Sequence, residues 1–283
     1  MPGPSTSRRL AATVAVVVSL FASISIAGAA TQTVTVENLT ATFTYHGTSP
    51  LSPNPHLKIT QNGKVVYDRP VRSAWCAKEC SPNVIAKAGK VVHIVHLQRG
   101  GSPSVVLDLY SGGAHCCAIE QVYSFKPNSA KIQETEHNFG DPGVQLVKLG
   151  AGGSIDLLSA DDVFAYAFTD FAASGLPIEI LSFSRNTFHN VTRSFPKLIA
   201  KDANQWMSAF TAQASTHYPD SVGVVAAWAA DEDMLGHSAA VASFLAAQAK
   251  AGHLNSALSP AASSGEKYVI ALQKFLRQQG YRK

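Results

Sequence analysis

The residues best suited to chemistry lie together in the stretch 105–123, where two apolar runs flank a short loop. A Ser-Gly-Gly sequence at 111–113 interrupts the first run, and His115, Cys116 and Cys117 follow before the second run begins. β-Branched and aromatic residues in such runs are typical of buried strands, and glycines permit a tight backbone between them. The pattern therefore predicts a rigid turn that presents His115 beside two adjacent cysteines.

A histidine on a restrained turn suits recognition, because a fixed backbone lowers the entropy cost of binding. No activating base or nucleophile accompanies His115 in a known motif, so we predict that it belongs to a binding surface. The other predicted binding residues are polar or aromatic side chains of the same β-rich part of the chain, namely Tyr110, Asp161, Asp162 and Tyr166.

Four cysteines in an exported chain indicate two disulfides and not a zinc cluster. Three pairings are possible, and the local one is favoured: Cys76 with Cys80, and Cys116 with Cys117. As alternatives, the adjacent cysteines could be a redox pair or metal ligands. A nucleophilic cysteine would need a low-pKa thiolate beside a base. Neighbouring side chains on a strand point to opposite faces, so His115 does not supply that base.

Three aspartates offer an alternative function. Asp161 and Asp162, opposite Asp108, could act as the general acid and base of a glycoside hydrolase. Paired acids before an aromatic segment are more often turn formers that accept hydrogen bonds from backbone amides. Buried or backbone-bonded carboxylates would favour binding over hydrolysis.

Two further sets of side chains have both a functional and a structural interpretation. His93, His96 and His115 could hold zinc or copper, but residues three apart on a strand face opposite sides. Separate surface or edge histidines are the simpler interpretation. The aromatic residues Phe164, Tyr166, Phe168 and Phe171 could form a sugar-binding face, although strand alternation predicts that the first three lie together in the core.

The mature chain contains no Gly-x-Ser-x-Gly elbow, no His-Glu-x-x-His helix and no phosphate-binding loop. We therefore assign no catalytic residue, no metal and no cofactor. The leading hypothesis is a non-catalytic binding or structural protein, and the alternative is a hydrolase of envelope carbohydrate.

The N-terminus predicts export. Residues 1–30 contain Arg8 and Arg9, an apolar core from 10 to 26 and a small-x-small site at 27–29, which together are typical of a bacterial signal peptide. An uncleaved membrane anchor is the alternative. Without residues 1–30, which include two arginines and no acid, the formal charge falls from +4 to +2. The remaining basic residues form no cluster, so no nucleic-acid partner is expected, whereas an envelope glycan or protein could be one. After signal removal no transmembrane segment is expected, and the protein would be secreted or associated with the cell envelope.

The spacing of apolar residues along the sequence predicts an α+β protein. Alternating or continuous apolar runs, with an Asn62-Gly63 hairpin signal, predict a β-rich domain over residues 31–192. Within it the strings beginning at His96 and Lys148 share a Gly-Gly-Ser loop and lie about 50 residues apart, a period that suits propeller-blade-like units. An aromatic strand is predicted over 163–170. Helical spacing begins at Pro196, and four helices predict a small C-terminal bundle over residues 193–283.

Four strings of residues resemble a known family: Asp-Leu-Tyr-Ser-Gly-Gly-Ala-His-Cys-Cys from 108, Ser-Ala-Asp-Asp-Val-Phe-Ala-Tyr-Ala-Phe from 159, Pro-Ile-Glu-Ile from 177 and Asn-Val-Thr-Arg-Ser-Phe-Pro from 190. The family consists of uncharacterised exported bacterial proteins with integrin-like (FG-GAP-like) repeats. The resemblance implies a place and a fold, but no activity. In those relatives the two glycine loops usually carry a calcium-binding Asp-x-Asp-x-Asp-Gly pattern. The matching positions here lack its carboxylates, so calcium binding is not expected.

Overall fold

The structure is a computed structural model of the 283-residue chain. It describes residues 29–46, 54–76, 80–84, 89–125, 131–150, 152–214, 220–256 and 264–282. The predicted signal peptide lies outside the described residues except for Ala29 and Ala30, which begin the first strand. Among the helices in these ranges, none is long and apolar enough to span a membrane.

The first sheet is a four-stranded antiparallel meander built from the N-terminal part of the chain. Its strands are β1 (Ala29–Val36), β2 (Leu39–His46), β3 (His56–Gln61) and β4 (Lys64–Pro70). β2 shows the predicted alternation, because Leu39, Ala41 and Phe43 are buried and the threonines between them are partly exposed. The predicted Asn62-Gly63 turn joins β3 to β4. Such a pattern packs one face of the sheet on a core and leaves the other in water.

The second sheet lies at the centre of the β-rich part. Its strands are β5 (Ser81–Pro82), β6 (Val92–Val95), β7 (Ser104–Gly113), β8 (Cys116–Phe125) and β9 (Ile132–Asn138). β5 and β6 pair with one edge of β7, while β8 pairs with the other and with β9. β7 and β8 are covered on both faces, which explains their continuous apolar runs. The turn that carries His115 therefore joins the two central, buried strands of this sheet.

The third sheet repeats the antiparallel meander with β10 (Gln145–Val147), β11 (Asp156–Ala160), β12 (Ile178–Ser184) and β13 (Thr187–Asn190). The first predicted glycine loop joins β6 to β7, and the second joins β10 to β11. Each loop therefore connects two paired antiparallel strands of its own sheet. The two loops also touch, since the Ile155 N–H donates a 2.8 Å hydrogen bond to the His96 carbonyl oxygen. The two Gly-Gly-Ser strings thus form equivalent connections in the second and third sheets.

The predicted aromatic strand over 163–170 is wrong. A short 3-10 helix, Asp162–Phe164, and a series of turns take its place. The Asp161 carboxylate accepts a 3.1 Å hydrogen bond from the Val163 N–H and so caps the first turn of that helix. Tyr166 then has φ +59°, a left-handed conformation that no strand contains.

Four helices follow the third sheet: α1 (Pro196–Ala214), α2 (Val222–Met234), α3 (Ser238–Lys250) and α4 (Gly265–Gln278). α1 begins at the proline that the sequence marked as a helix start. α2 is buried along nearly its whole length, and its residues share a hydrophobic cluster with Tyr268 and Leu272 of α4. Together with the three antiparallel sheets, these helices confirm the predicted α+β class.

Among the described residues, three hydrophobic clusters hold the sheets and helices together. One lies between the first and second sheets and contains Phe43 and Tyr123; another lies between the second and third sheets and contains Val122 and Phe183. The third belongs to the helices but also takes in Phe164 from the β-rich part. Because side chains from residues 164–176 enter the helical core, the connection between β11 and β12 is anchored to the helices.

Candidate functional site

The turn between β7 and β8 exposes His115 and holds its backbone on both sides. A Cβ atom on Gly113 would lie only 3.1 Å from the carbonyl oxygen of Cys116, so the chain is tight at that point. The Cys117 N–H donates a 2.7 Å hydrogen bond to the Ser111 hydroxyl oxygen. Cys116 and Cys117 are joined by a disulfide. These restraints fix the backbone of the turn and leave the His115 side chain exposed.

A second segment, residues 165–175 between β11 and β12, brings aromatic rings to the same place. Tyr166 has the left-handed φ of +59°. Its N–H donates a 3.1 Å hydrogen bond to the Ser174 hydroxyl oxygen, and that hydroxyl donates at 2.7 Å to the Asp170 carbonyl oxygen. The Tyr166 ring nevertheless stays 57% exposed. A strained backbone conformation that is held in place by specific hydrogen bonds is typical of functional sites.

The segment 165–175 rests directly on α2. A Cβ atom on Gly175 would lie 2.9 Å from the backbone oxygen of Gly223, and one on Gly223 would lie 2.1 Å from the carbonyl oxygen of Ala173. At the start of the contact, the Thr169 hydroxyl donates a 3.0 Å hydrogen bond to Oδ2 of Asp220. The helical part of the chain therefore fixes the position of this loop.

The rings of His115, Phe171 and Tyr166 lie in contact, and we call this group the aromatic platform: His115 and Tyr166 are exposed, and Phe171 is half-buried. The ring centroids of His115 and Phe171 are 4.3 Å apart with planes inclined by 35°, and those of Tyr166 and Phe171 are 5.6 Å apart. His115 and Tyr166 are separated by 6.4 Å. These distances are typical of favourable aromatic contacts. Two predicted binding residues thus meet, and Phe171 lies between them.

The edges of the aromatic platform carry polar atoms without protein partners. In the described part of the chain, neither the Tyr166 hydroxyl nor the His115 ring nitrogens form a hydrogen bond. Asp170, the residue before Phe171 in the chain, accepts a 3.0 Å hydrogen bond from the Ala173 N–H at Oδ1. The site therefore offers an exposed tyrosine ring together with the polar atoms of Tyr166 and His115.

The remaining aromatic residues of the predicted set have structural roles. Phe164 and Phe168 both make edge-to-face contacts with Phe275 of α4, at 5.0 and 5.2 Å. They belong with the helical core and not with Tyr166, because the turns at 165–167 replace the expected strand and end its alternation.

Tyr110, Asp161 and Asp162, the other predicted binding residues, have partners of their own. Tyr110 is partly buried in β7, where it pairs with Ala118 of β8. The Asp162 carboxylate accepts a 3.2 Å hydrogen bond from the Asp141 N–H, and burial raises its pKa. Within the described ranges, Tyr110 makes no ring contact with the aromatic platform, and the two aspartates are bonded to partners elsewhere.

The carboxylates of the alternative hydrolase are engaged elsewhere. Asp108 is fully buried in β7, and its Oδ2 lies 2.8 Å from Nε2 of His93. Asp161 accepts hydrogen bonds from the Val163 N–H and, at 2.7 Å, from the Tyr281 hydroxyl. These contacts are the buried or backbone-bonded arrangement that favours binding over hydrolysis.

The three histidines of the alternative metal site point to different partners. His93 contacts Asp108, while Nε2 of His96 lies 3.3 Å from Glu37 and its Nδ1 lies 3.1 Å from the Gly101 carbonyl oxygen. His115 stacks on Phe171. Within the described ranges, no group of three or more His, Cys, Asp or Glu side chains is placed to hold a metal.

The sequence did not reveal a group of acidic side chains where the third sheet meets the helices. Glu179 of β12 is largely buried near Asp161, and burial together with the Asp161 charge raises its pKa to about 7. The Asn190 amide donates to Glu179 at 3.2 Å. Burial and the same Asp161 carboxylate also raise the pKa of Tyr281, which therefore remains a hydrogen-bond donor. In the sequence, the one signal of this group is Glu179 itself, a charged residue inside the apolar string 178–181.

The same junction continues into the helices through two aspartates. Oδ2 of Asp202, on α1, accepts hydrogen bonds from the Ile178 N–H at 2.9 Å and from the Trp206 indole at 3.0 Å. Asp231, on α2, is fully buried, and burial together with the nearby Asp202 raises its pKa to about 10. Burial beside Asp202 thus favours the protonated form of Asp231, and Asp202 makes the hydrogen bonds between sheet and helices.

Both cysteine pairs are bonded locally. The structure joins Cys76 to Cys80 and Cys116 to Cys117, the pairing that the sequence favoured among three. All four residues belong to the cluster between the first and second sheets. The disulfides therefore restrain two loops without linking them to each other.

Comparison with known proteins gives two distant similarities. A stretch of 151 residues is 24% identical to an uncharacterised protein of Sinorhizobium fredii and covers 52% of this chain and 23% of that protein. A stretch of 130 residues is 25% identical to a probable thylakoid lumen protein of Synechocystis sp. and covers 39% of this chain and 38% of that protein. The chain thus spans less than half the length of either relative. No protein-family model matches it, and no solved structure matches it significantly.

Proposed function

We propose that this chain is a non-catalytic binding module of the bacterial cell envelope or exterior, and that the aromatic platform is its recognition surface. The observation that carries the proposal is Tyr166, whose ring is more than half exposed on a left-handed backbone. Such a conformation costs about 1–3 kcal/mol. An exposed ring recovers little of that cost within the fold, but it gains contact area when a partner covers it.

The geometry around the platform supports binding because both of its supports are rigid. The Cys116–Cys117 disulfide and the Ser111 hydrogen bond restrain the turn of His115. The contact between Gly175 and Gly223 holds the loop of Tyr166 and Phe171. A surface that is already ordered loses little conformational entropy when a ligand binds.

The partners of Asp108, Asp161 and Asp162 support the same conclusion. Each carboxylate is buried or bonded to a backbone amide, a tyrosine or a histidine, and nothing in their geometry favours the hydrolase. We therefore propose no catalytic activity for this chain.

We also propose that the second and third sheets are propeller-blade-like units of the FG-GAP-like family. Two observations support this: β6–β9, apart from the two-residue β5 that also pairs with β7, and β10–β13 are each arranged as a four-stranded antiparallel meander, and the matching glycine loops join the first two strands of each. The proposed location outside the cytoplasm is supported by the apolar segment 10–26 and the two bonded cysteine pairs. It also agrees with the name of the probable lumen protein that the chain resembles in part.

The proposal is tested by retention of the purified mature protein on washed bacterial cell envelopes. Wild type should be retained, while His115→Ala and Tyr166→Asn should be retained less and should melt at nearly the same temperature. Asn is chosen because it tolerates a left-handed backbone. Ile270→Ala, which removes a 66% exposed side chain from α4, is the matched control. Equal retention of all four proteins would refute the proposed surface, and release of soluble sugar by wild type would favour the hydrolase.

A further inference from the structure

The arrangement of the rings limits what the aromatic platform can bind. His115 and Phe171 are in direct ring contact at 4.3 Å, and Tyr166 continues the stack from Phe171 at 5.6 Å. A cage for a quaternary ammonium group needs rings that stand apart and surround the cation. Rings that already touch each other leave no such space between them, and the most exposed of the three, Tyr166, is the one that a ligand can cover.

Charge also limits the ligand. In the described ranges no lysine or arginine makes a cation–π contact with any ring of the platform, whereas Arg69 makes one with Tyr67 elsewhere. The nearest acidic group along the chain, Asp170, would repel an anion. Phosphate or sulfate groups are usually recognised by arginine, lysine or helix N-termini. The platform therefore lacks the cationic contacts that would favour an anionic ligand.

The polar rim argues against a purely apolar partner. An apolar side chain laid across the rings would bury the Tyr166 hydroxyl and the His115 nitrogens, which have no hydrogen-bond partners among the described residues. Burying polar groups without partners opposes binding. The ligand that suits the site offers C–H groups to the ring faces and hydroxyl groups to the rim. A pyranose ring has this combination, because its C–H bonds and hydroxyl groups lie on different sides and edges.

We propose that the aromatic platform binds neutral carbohydrate, with a sugar ring stacked on the exposed Tyr166 and its hydroxyl groups bonded by His115 and the Tyr166 hydroxyl, while Phe171 supports both rings from between them. This inference rests on the proposed function, because it names the ligand class of the same surface. It assigns the Tyr166 ring to affinity, and the polar atoms of the rim to the choice of sugar.

The test is affinity electrophoresis of the mature protein in native gels that contain mannan, hydroxyethyl cellulose or galactan. Wild type should be retarded by at least one of these neutral polymers. Tyr166→Asn should bind that polymer about three- to tenfold more weakly, since a ring contact contributes roughly this factor. Tyr166→Phe, which keeps the ring and removes the hydroxyl, should show a smaller loss. Ile270→Ala should migrate like wild type, and a thermal melt of each variant checks that it is folded.

The outcomes separate this inference from the proposed function. If none of the three polymers retards wild type while retention on cell envelopes still depends on Tyr166, the carbohydrate assignment is wrong and the binding surface stands. If a polymer retards wild type and Tyr166→Asn equally, the platform is not the sugar site. Displacement of the protein from envelopes by choline chloride, without any retardation by the polymers, would show a cation site and overturn the inference.

Discussion

The contact between α2 and the loop 165–175 can be tested by adding one methyl group. Gly223 is the second residue of α2 and faces the loop. A Cβ atom there would lie 2.1 Å from the carbonyl oxygen of Ala173 and 2.9 Å from Cα of Ser174. Both atoms belong to the backbone, so no side-chain rotation can make room. Gly223→Ala therefore has to push the loop away from the helix.

Two opposing effects set the size of the change. Replacing glycine by alanine inside a helix usually stabilises a protein by about 0.5–1 kcal/mol. Overpacking a tight contact costs about 1–3 kcal/mol, and occasionally more. Because the 2.1 Å contact is far shorter than any van der Waals distance, the steric cost should dominate. We expect a net destabilisation of about 0.5–2 kcal/mol, which in a chain of this size lowers the melting temperature by about 1–8 °C.

The assay is equilibrium urea unfolding, combined with retention on cell envelopes. Gly223→Ala should unfold at lower urea and bind less, because the displaced loop carries Tyr166 and Phe171. Gly143→Ala is the control, since a Cβ atom at that position meets nothing within 4 Å. If Gly223→Ala were as stable as wild type or more stable, the loop would not be seated on α2 as described and the reasoning would fail.

Two further predictions concern protons and calcium. Burial raises the pKa of Glu179 from 4.5 to about 7 in the folded protein. Because the unfolded chain gives up this proton at lower pH, the free energy of unfolding should fall as the pH rises from 4.5 to about 7. The fall should be at most about 3 kcal/mol. In pH-dependent urea unfolding, Glu179→Gln should flatten this slope, and an unchanged slope would contradict the assignment. Millimolar calcium should leave the melting temperature unchanged, and a rise that a chelator reverses would show that an oxygen site has been missed.

The local elements were predictable because their signals are local. Alternating burial in β2, the Asn62-Gly63 turn and Pro196 at the start of α1 each depend on a few neighbouring residues. The buried runs of β7 and β8 were equally clear, and so was the turn between them. The equivalence of the two glycine loops followed from their shared sequence.

The prediction failed where a short-range pattern was overridden by distant partners. Alternating aromatic residues after Asp162 predicted a strand, yet Phe164 and Phe168 are drawn into the helical core, and Tyr166 turns outward. The hydrogen bond between Tyr281 and Asp161 joins residues 120 positions apart. No periodicity in one sequence indicates which of its many acidic residues will meet such a partner.

The second glycine loop lacks the carboxylates of a calcium loop, and the structure shows that Asp156 holds it instead. Asp156, the carboxylate that follows the second loop, is buried, and burial raises its pKa while hydrogen bonds from the backbone of Leu149 and Gly150 oppose that rise. Those amides belong to the loop itself. The carboxylate therefore holds the loop through its own backbone, a task that a bound cation performs in a calcium loop.

The aromatic platform has a further consequence for how the two parts of the chain depend on each other. His115 comes from the second sheet, whereas Tyr166 and Phe171 come from a loop that α2 holds in place. The site is complete only when the helices are docked on the third sheet. Docking in turn depends on the hydrogen bonds of Asp202 to Ile178 and of Tyr281 to Asp161. A ligand that binds the complete platform must therefore stabilise this docking, since binding to one state draws the equilibrium toward it.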